Sequence, residues 1–285
     1  MNVLWDLCLI LWIGSSIATI TTSGRRMCTT VRANNRARQN IQTSDRGVPN
    51  APTTVPSGLV LDLEKPDDKL YQSFDYDTDG IPTRFIVPKD DNVITSVKEG
   101  SLEVWKASGD NVACAFVTLR LSDGKPVIAQ LTKNTNGNPM VIFVKKDGTW
   151  KVTDDYKGEL NKLRRTTESV ENFTLDLSAN QDTPNCRIFD TKLYGVPVRF
   201  YAPKFGFHAT KMSFGGTELW TNAPESNKRI FLLIAGLGNG ELKTINAFIR
   251  DPNNGSELLY YGFKDGKWEN ISKDEYNKKF EGLKK

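Results

Sequence analysis

IPTRFIVPK, residues Ile81 to Lys89, returns as VPVRFYAPK, residues Val196 to Lys204. Working outward from this pair, the same order of motifs appears on both sides. LVLDL ends at Leu63 and FTLDL at Leu177. SLEVWKA, from Ser101, matches GTELWTN, from Gly216, in register on Trp105 and Trp220. Asp123-Gly124 answers to Asn239-Gly240, and DGTW, ending at Trp150, to DGKW, ending at Trp268. The separations are 114 residues for the leucines, 115 for the lysines, 115 for the first tryptophan pair and 118 for the second. Order is kept and drift is small, so one unit is duplicated. It is too long for a solenoid repeat. The chain of 285 residues therefore divides into tandem domains at 58–165 and 172–285, each of ordinary domain size.

Within each unit the texture is short strand-like runs: GLVLDL alternates at Leu59, Leu61 and Leu63, and VACAFVTLRL and MVIFVKK follow. Asp79-Gly80, Asp123-Gly124, Asn136-Gly137 and Asp147-Gly148 separate them. Such two-residue turns between strand-length runs are hairpin signals. Helical signals come only at the end of each unit. Ser272 with Glu275 makes a capping box, and Tyr276 and Phe280 share a face. After Trp150, Thr153 is the expected cap, and Tyr156, Leu160 and Leu163 form the apolar stripe. Arg164 and Arg165 fall at the favourable end of the helix dipole. The fold class is mainly β: two tandem antiparallel β domains, each a sandwich or rolled sheet, each closed by a short C-terminal helix.

Residues 1–18 read as a secretory signal peptide. Leu7 to Ile13 form its apolar core, and Ser16-Ile17-Ala18 supplies small residues for cleavage. The alternative is an uncleaved anchor, but the run is short for a span. No second apolar run follows, so the mature chain is expected to have no transmembrane span, and LKK at the C-terminus is no lipid-anchor signal. Residues 19–57 hold six arginines against Asp45 and almost no large apolar side chains, which predicts a disordered basic linker. The net charge of +4 belongs to this segment. The neutral remainder argues against a nucleic-acid-binding fold, although the arginines of 25–46 offer a local basic patch. Cys8 leaves with the signal. Cys114 alternates as a buried strand residue, and Cys186 is available to Cys28 or to a partner; no metal-knuckle spacing occurs.

The shared pattern resembles the FAINT domain, a repeat family of secreted proteins from Theileria-type piroplasm parasites. The residues that carry the likeness are Leu61-Asp62-Leu63, Pro88-Lys89, Val104-Trp105 and Asp147-Gly148-Thr149-Trp150. The second copy supplies Leu175-Asp176-Leu177, Pro203-Lys204-Phe205-Gly206-Phe207, Leu219-Trp220 and Asp265-Gly266-Lys267-Trp268. It lies closer to the pattern, because the first copy lacks the aromatic turn after its lysine. The resemblance implies export, to the parasite surface or into the host cell, and no assigned catalytic site.

The residues themselves point away from catalysis. His208 is the only histidine, and no nucleophile motif accompanies it. DTDG, Asp77 to Gly80, begins like a calcium loop but lacks the downstream bidentate glutamate, and reads as a turn. AGLGNGE, Ala235 to Glu241, has alternating glycines but no helix after it, so Asn239-Gly240 is a hairpin turn. Trp105, Trp150, Trp220 and Trp268 are expected as core anchors, with sugar stacking as the alternative. Asn172, Asn254 and Asn270 begin N-glycosylation sequons. No catalytic set, metal site or cofactor is expected. The favoured role is a secreted non-enzymatic protein binding a host or parasite protein, with the composite surface around Arg165–Phe173 as its junction. The alternative is an abundant surface coat antigen without a specific site.

Overall fold

The computed structural model describes residues 58–90, 92–108, 113–133, 140–223, 225–251 and 255–284. The expected signal segment, the basic linker, Cys28, the Asn136-Gly137 turn and Asn254 lie outside them. The first half contains β1 (Gly58–Asp62), β2 (Tyr71–Thr78), β3 (Ile81–Pro88), β4 (Val93–Glu99), β5 (Leu102–Lys106), β6 (Cys114–Ser122), β7 (Lys125–Lys133), β8 (Met140–Lys146), β9 (Thr149–Val152) and α1 (Tyr156–Leu163). The second repeats the plan with β10 (Glu171–Asp176), β11 (Cys186–Leu193), β12 (Val196–Pro203), β13 (Phe207–Phe214), β14 (Thr217–Thr221), β15 (Arg229–Gly238), β16 (Glu241–Asp251), β17 (Gly255–Lys264), β18 (Lys267–Asn270) and α2 (Lys273–Glu281).

Each half builds one bifurcated, curled sheet of nine strands, the rolled alternative and not a sandwich of two sheets. The strand orders are β1-β4-β6-β7-β8-β9 and β10-β13-β15-β16-β17-β18, with the β2–β3 and β11–β12 hairpins branching off β6 and β15. The branch has a simple cause. At Cys114 the strand β6 pairs with Ile94 of β4, and from Val117 to Arg120 it pairs with β3. One strand changes partner along its length, so the sheet must curl. Pairing is antiparallel with one exception in each half: β1 runs parallel to β4, and β10 to β13. The intervening hairpin supplies the long crossover that parallel pairing requires.

The residues repeated between the copies serve this plan. Leu61, Leu63, Leu175 and Leu177 are all buried. Between them, Asp62 accepts from the amides of Glu64 and Gly100, and Asp176 from that of Ser178. Arg84 forks onto Asp75 at 2.6 and 2.7 Å, and Arg199 onto Asp190 at 2.7 and 2.8 Å, each across its own hairpin. The lysine after each Pro reaches back to a loop carbonyl, Lys89 to Asp68 and Lys204 to Thr183, both at 2.6 Å.

The two halves join through a shared aromatic core. Phe74 faces Phe85 across the β2–β3 hairpin, and Phe189 faces Phe200 across β11–β12, so these are equivalent pairs. Phe74 stacks on Phe189 with centroids 4.3 Å apart, and Phe85 packs on Phe200 at 5.4 Å. Equivalent residues touching each other is the mark of an isologous contact, as in a two-fold dimer. Tyr76, Phe116, Val196, Val198 and Leu193 fill in the same cluster.

The helices close the two sheets differently. Asp155, not Thr153, caps α1, accepting from Gly158 N at 3.0 Å, while the Thr153 hydroxyl takes the amide of Asp155. The aspartate sits one residue before the helix, where a carboxylate reaches the orphan amides. Tyr156 is buried, with Leu160 and Leu163 packed beside it. Ser272 caps α2 as expected, but Glu275 turns to Lys279 at 3.7 Å. Beneath α1, buried Arg120 donates to the hydroxyls of Thr83 at 2.7 Å and Tyr156 at 3.1 Å. Its equivalent beneath α2 is Gly236, where a Cβ would lie 2.8 Å from Leu283 and 3.2 Å from Phe280. The missing side chain lets α2 settle directly on the sheet.

Candidate binding site at the junction of the two sheets

The DTDG turn forms the centre of the site. Asp79 and Gly80 take the left-handed conformation, with φ of 50° and 79°, the geometry of a tight hairpin turn. Gly80 has a second reason to lack a side chain: a Cβ there would lie 2.7 Å from the carbonyl oxygen of Arg165. That close approach carries the hydrogen bond from Arg165 N to Gly80 O, 3.0 Å.

Arginines pair with both carboxylates of this turn. The Asp79 carboxylate, 7% exposed, is ion-paired with Arg164, with Arg229 at 2.5 Å and with Arg250 at 3.6 Å. Arg164 also donates to the Asp79 carbonyl at 2.6 Å. Arg165 pairs with Asp77, and its guanidinium lies 4.2 Å from the centre of the Phe205 ring, within cation–π range. Arg164, in extended backbone at the helix C-cap, and Arg165 after it were both expected to complement the helix dipole; instead they tie the first sheet's turn to the segment that joins the two halves. Arg229 and Arg250 reach the same carboxylate from paired positions on β15 and β16.

These groups surround a cavity of about 210 Å³ lined by Asp79, Arg164, Arg165, Phe205, His208 and Arg229, among others. It lies at the junction expected around Arg165–Phe173. His208 is half-buried beside it. Burial and the positive charge of Arg229 both hold its imidazole below the usual range, against the pull of Asp79. Among the described residues, no group of three or more His, Cys, Asp or Glu is arranged to hold a metal ion.

The tryptophans stand at the rims of the two cores, half-buried and packed against them. Trp150 donates to buried Glu99 at 2.9 Å, and Lys145 pairs with the same carboxylate at 2.7 Å. In the second half Phe214 and Phe263 hold the equivalent positions, with ring centres 5.7 and 5.2 Å from Trp268. The Trp268 N–H faces no acceptor among the described residues. A charged clasp and an aromatic one thus do the same packing task.

Asn172 and Asn270 are exposed, on β10 and at the end of β18. Cys114 and Cys186 are buried thiols that form no disulfide among the described residues, and burial pushes each up to about 12. The residues that sequence reading missed are Asp79 as a hub and Arg229 and Arg250 as its partners. Their only local sign is a pair of arginines at the ends of adjacent strands; Asp79 is 150 positions from Arg229.

No curated protein and no solved structure matches the chain. Residues 60–138, most of the first sheet and less than half of the chain, match the family model of FAINT, a domain of unknown function (DUF529).

Proposed function

We propose that this chain is a secreted, non-catalytic piroplasm-type protein, with two FAINT modules, that binds a protein partner of the host or of the parasite through the junction of its sheets. The second module is inferred from its identical strand order and its copies of the LDL, PK and DGKW motifs. One observation carries the binding reading. The repeated polar residues are spent on folding, whereas Asp79, His208 and Arg229 at the junction have no like counterpart in the other copy. Asp79 is replaced at the equivalent turn by Tyr194, and His208 at its equivalent position by Val93. Function that differs from scaffold lies where copies differ.

Arg165 is the most exposed arginine of the site, so Arg165→Glu perturbs the surface with the least cost to the fold. Wild-type and Arg165→Glu protein, with matching circular dichroism, are to be compared in quantitative capture from host serum, host lysate and parasite extract. A partner held saturably by the wild type and lost from the variant is the expected result. Equal capture by both, or none that saturates, overturns the reading; a uniform layer on the parasite surface would then favour a coat component.

A further inference from the structure

The junction cavity has more positive charge than its own carboxylates balance. Arg164, Arg165, Lys204 and Arg229 line it against Asp79 alone. Lys204 is engaged by the Thr183 carbonyl, which leaves the guanidiniums. With Arg250 behind Asp79 and Asp77 beside Arg165, four guanidiniums share two carboxylates. Each guanidinium has five N–H donors. The ion pairs to Asp79 engage one terminal nitrogen each of Arg164 and Arg229. Asp79 thus positions the guanidiniums without exhausting them.

Size narrows the ligand. Cofactor-sized pockets run to about 300–1,000 Å³, and this cavity is about 210 Å³. At about 30 Å³ per water in the liquid, it has room for one tetrahedral oxyanion and part of its carrier. Planar guanidinium forks match such groups two bonds at a time.

The opposite seam of the same isologous contact is an internal control. Its cleft, about 690 Å³, is lined by Lys89, Asp90, Asp190, Lys192 and Tyr194, among others. Among the described residues that line it, acidic and basic side chains balance and none is an arginine. Asp90 stands where the junction cavity has Phe205, and Tyr194 where it has Asp79. The convergence of arginines is therefore not a by-product of the shared scaffold.

We infer that the junction cavity binds a tetrahedral oxyanion ester on a protein side chain, a phosphorylated or sulfated residue of the partner. This rests on the reading that a protein partner docks at the junction. His208 lines the cavity and is the chain's only histidine, so its imidazole proton resonances are a single-site reporter. The full folded chain is to be titrated with inorganic phosphate, a phosphoserine peptide, a sulfotyrosine peptide and their unmodified forms, with chloride at matched ionic strength. Saturable shifts of the His208 signals with a modified peptide, absent with the unmodified one, are expected. Arg229→Gln should weaken binding about tenfold, the loss of one charge-assisted hydrogen bond. If that variant unfolds, Arg165→Gln is read in its place. Whichever ester binds tighter identifies the modification. Shifts equal to those in chloride, or tighter binding of a single-stranded oligonucleotide, overturn the inference. A junction-dependent partner whose capture survives phosphatase and sulfatase would sink this proposal and leave the previous one standing. Oxyanion binding without any captured partner would overturn the docking reading and, with it, the assignment of the ester to a partner's side chain.

Discussion

Replacing Phe189 by alanine should loosen the bond between the two sheets as well as lower stability. The ring is 6% exposed and is sandwiched between Phe74 at 4.3 Å and Phe200 at 4.8 Å, with Tyr76 at 5.7 Å. Truncating a buried phenylalanine costs about 3–5 kcal/mol. Two stacked neighbours place this site toward the upper part, since each good ring pair adds about 0.5–1.5 kcal/mol beyond its area. A loss of about 4 kcal/mol, divided by a urea slope of about 2–3 kcal/mol/M for a chain this size, moves the midpoint by about 1.5 M. The shared core is the main apolar contact between the halves, so hydrogen exchange should also separate into two cooperative units. Val152→Ala, at a site 64% exposed, is the control and should stay within about 0.5 kcal/mol. A Phe189→Ala loss below about 1 kcal/mol, with both sheets still protected as one unit, would refute the claim that this stack joins them.

Three further outcomes can be checked. Glu99→Phe should cost about 1–3 kcal/mol by urea denaturation, because Lys145 and the Trp150 N–H lose their acceptor; adding Lys145→Phe should recover part of it and give a coupling energy of the sign seen for direct neighbours. Gly236→Ala should destabilise by about 1–3 kcal/mol through overpacking, with the melting temperature as readout, because the new methyl meets Thr244 and Leu283. Cys114 and Cys186 hold their protons more tightly when folded, with values raised from 9.0 to about 12. The unfolded chain therefore ionises first. Stability should be unaffected by these thiols below about pH 9 and should fall between about pH 9 and 12, and both thiols should resist a thiol reagent at pH 8 until the protein unfolds.

Much of the fold was legible because it is written in local chemistry. The Asp-Gly and Asn-Gly turns take positive φ at both positions, as at Asp123-Gly124 and Asn239-Gly240, and Ser272 caps its helix through its own hydroxyl. The duplication made each motif readable twice. What escaped was non-local. Nothing near residue 59 tells the first strand to run parallel, since its partner is set by a crossover that the β2–β3 hairpin fills. The choice of Asp155 over Thr153 as cap turns on two residues of helix start, beneath the resolution of a periodic pattern. The tryptophans mark the core in sequence but stop at its rim, where a polar clasp in one copy and an aromatic clasp in the other are equally good neighbours. At the site, the acidic turn resembled a failed calcium loop. Its actual partners come from the segment that joins the two halves and from two strands of the other half, and no short window contains them.

The face-to-face contact of Phe74 with Phe189 has a consequence for how such a molecule can specialise. Were the halves separate identical chains, any substitution would be imposed on both seams at once, and a charge useful at one would have to be tolerated at the other. Joining them in one polypeptide lifts that constraint. One seam is free to collect guanidiniums while its mirror keeps a balanced lining, so a symmetric framework can present a single, one-sided face to whatever it meets.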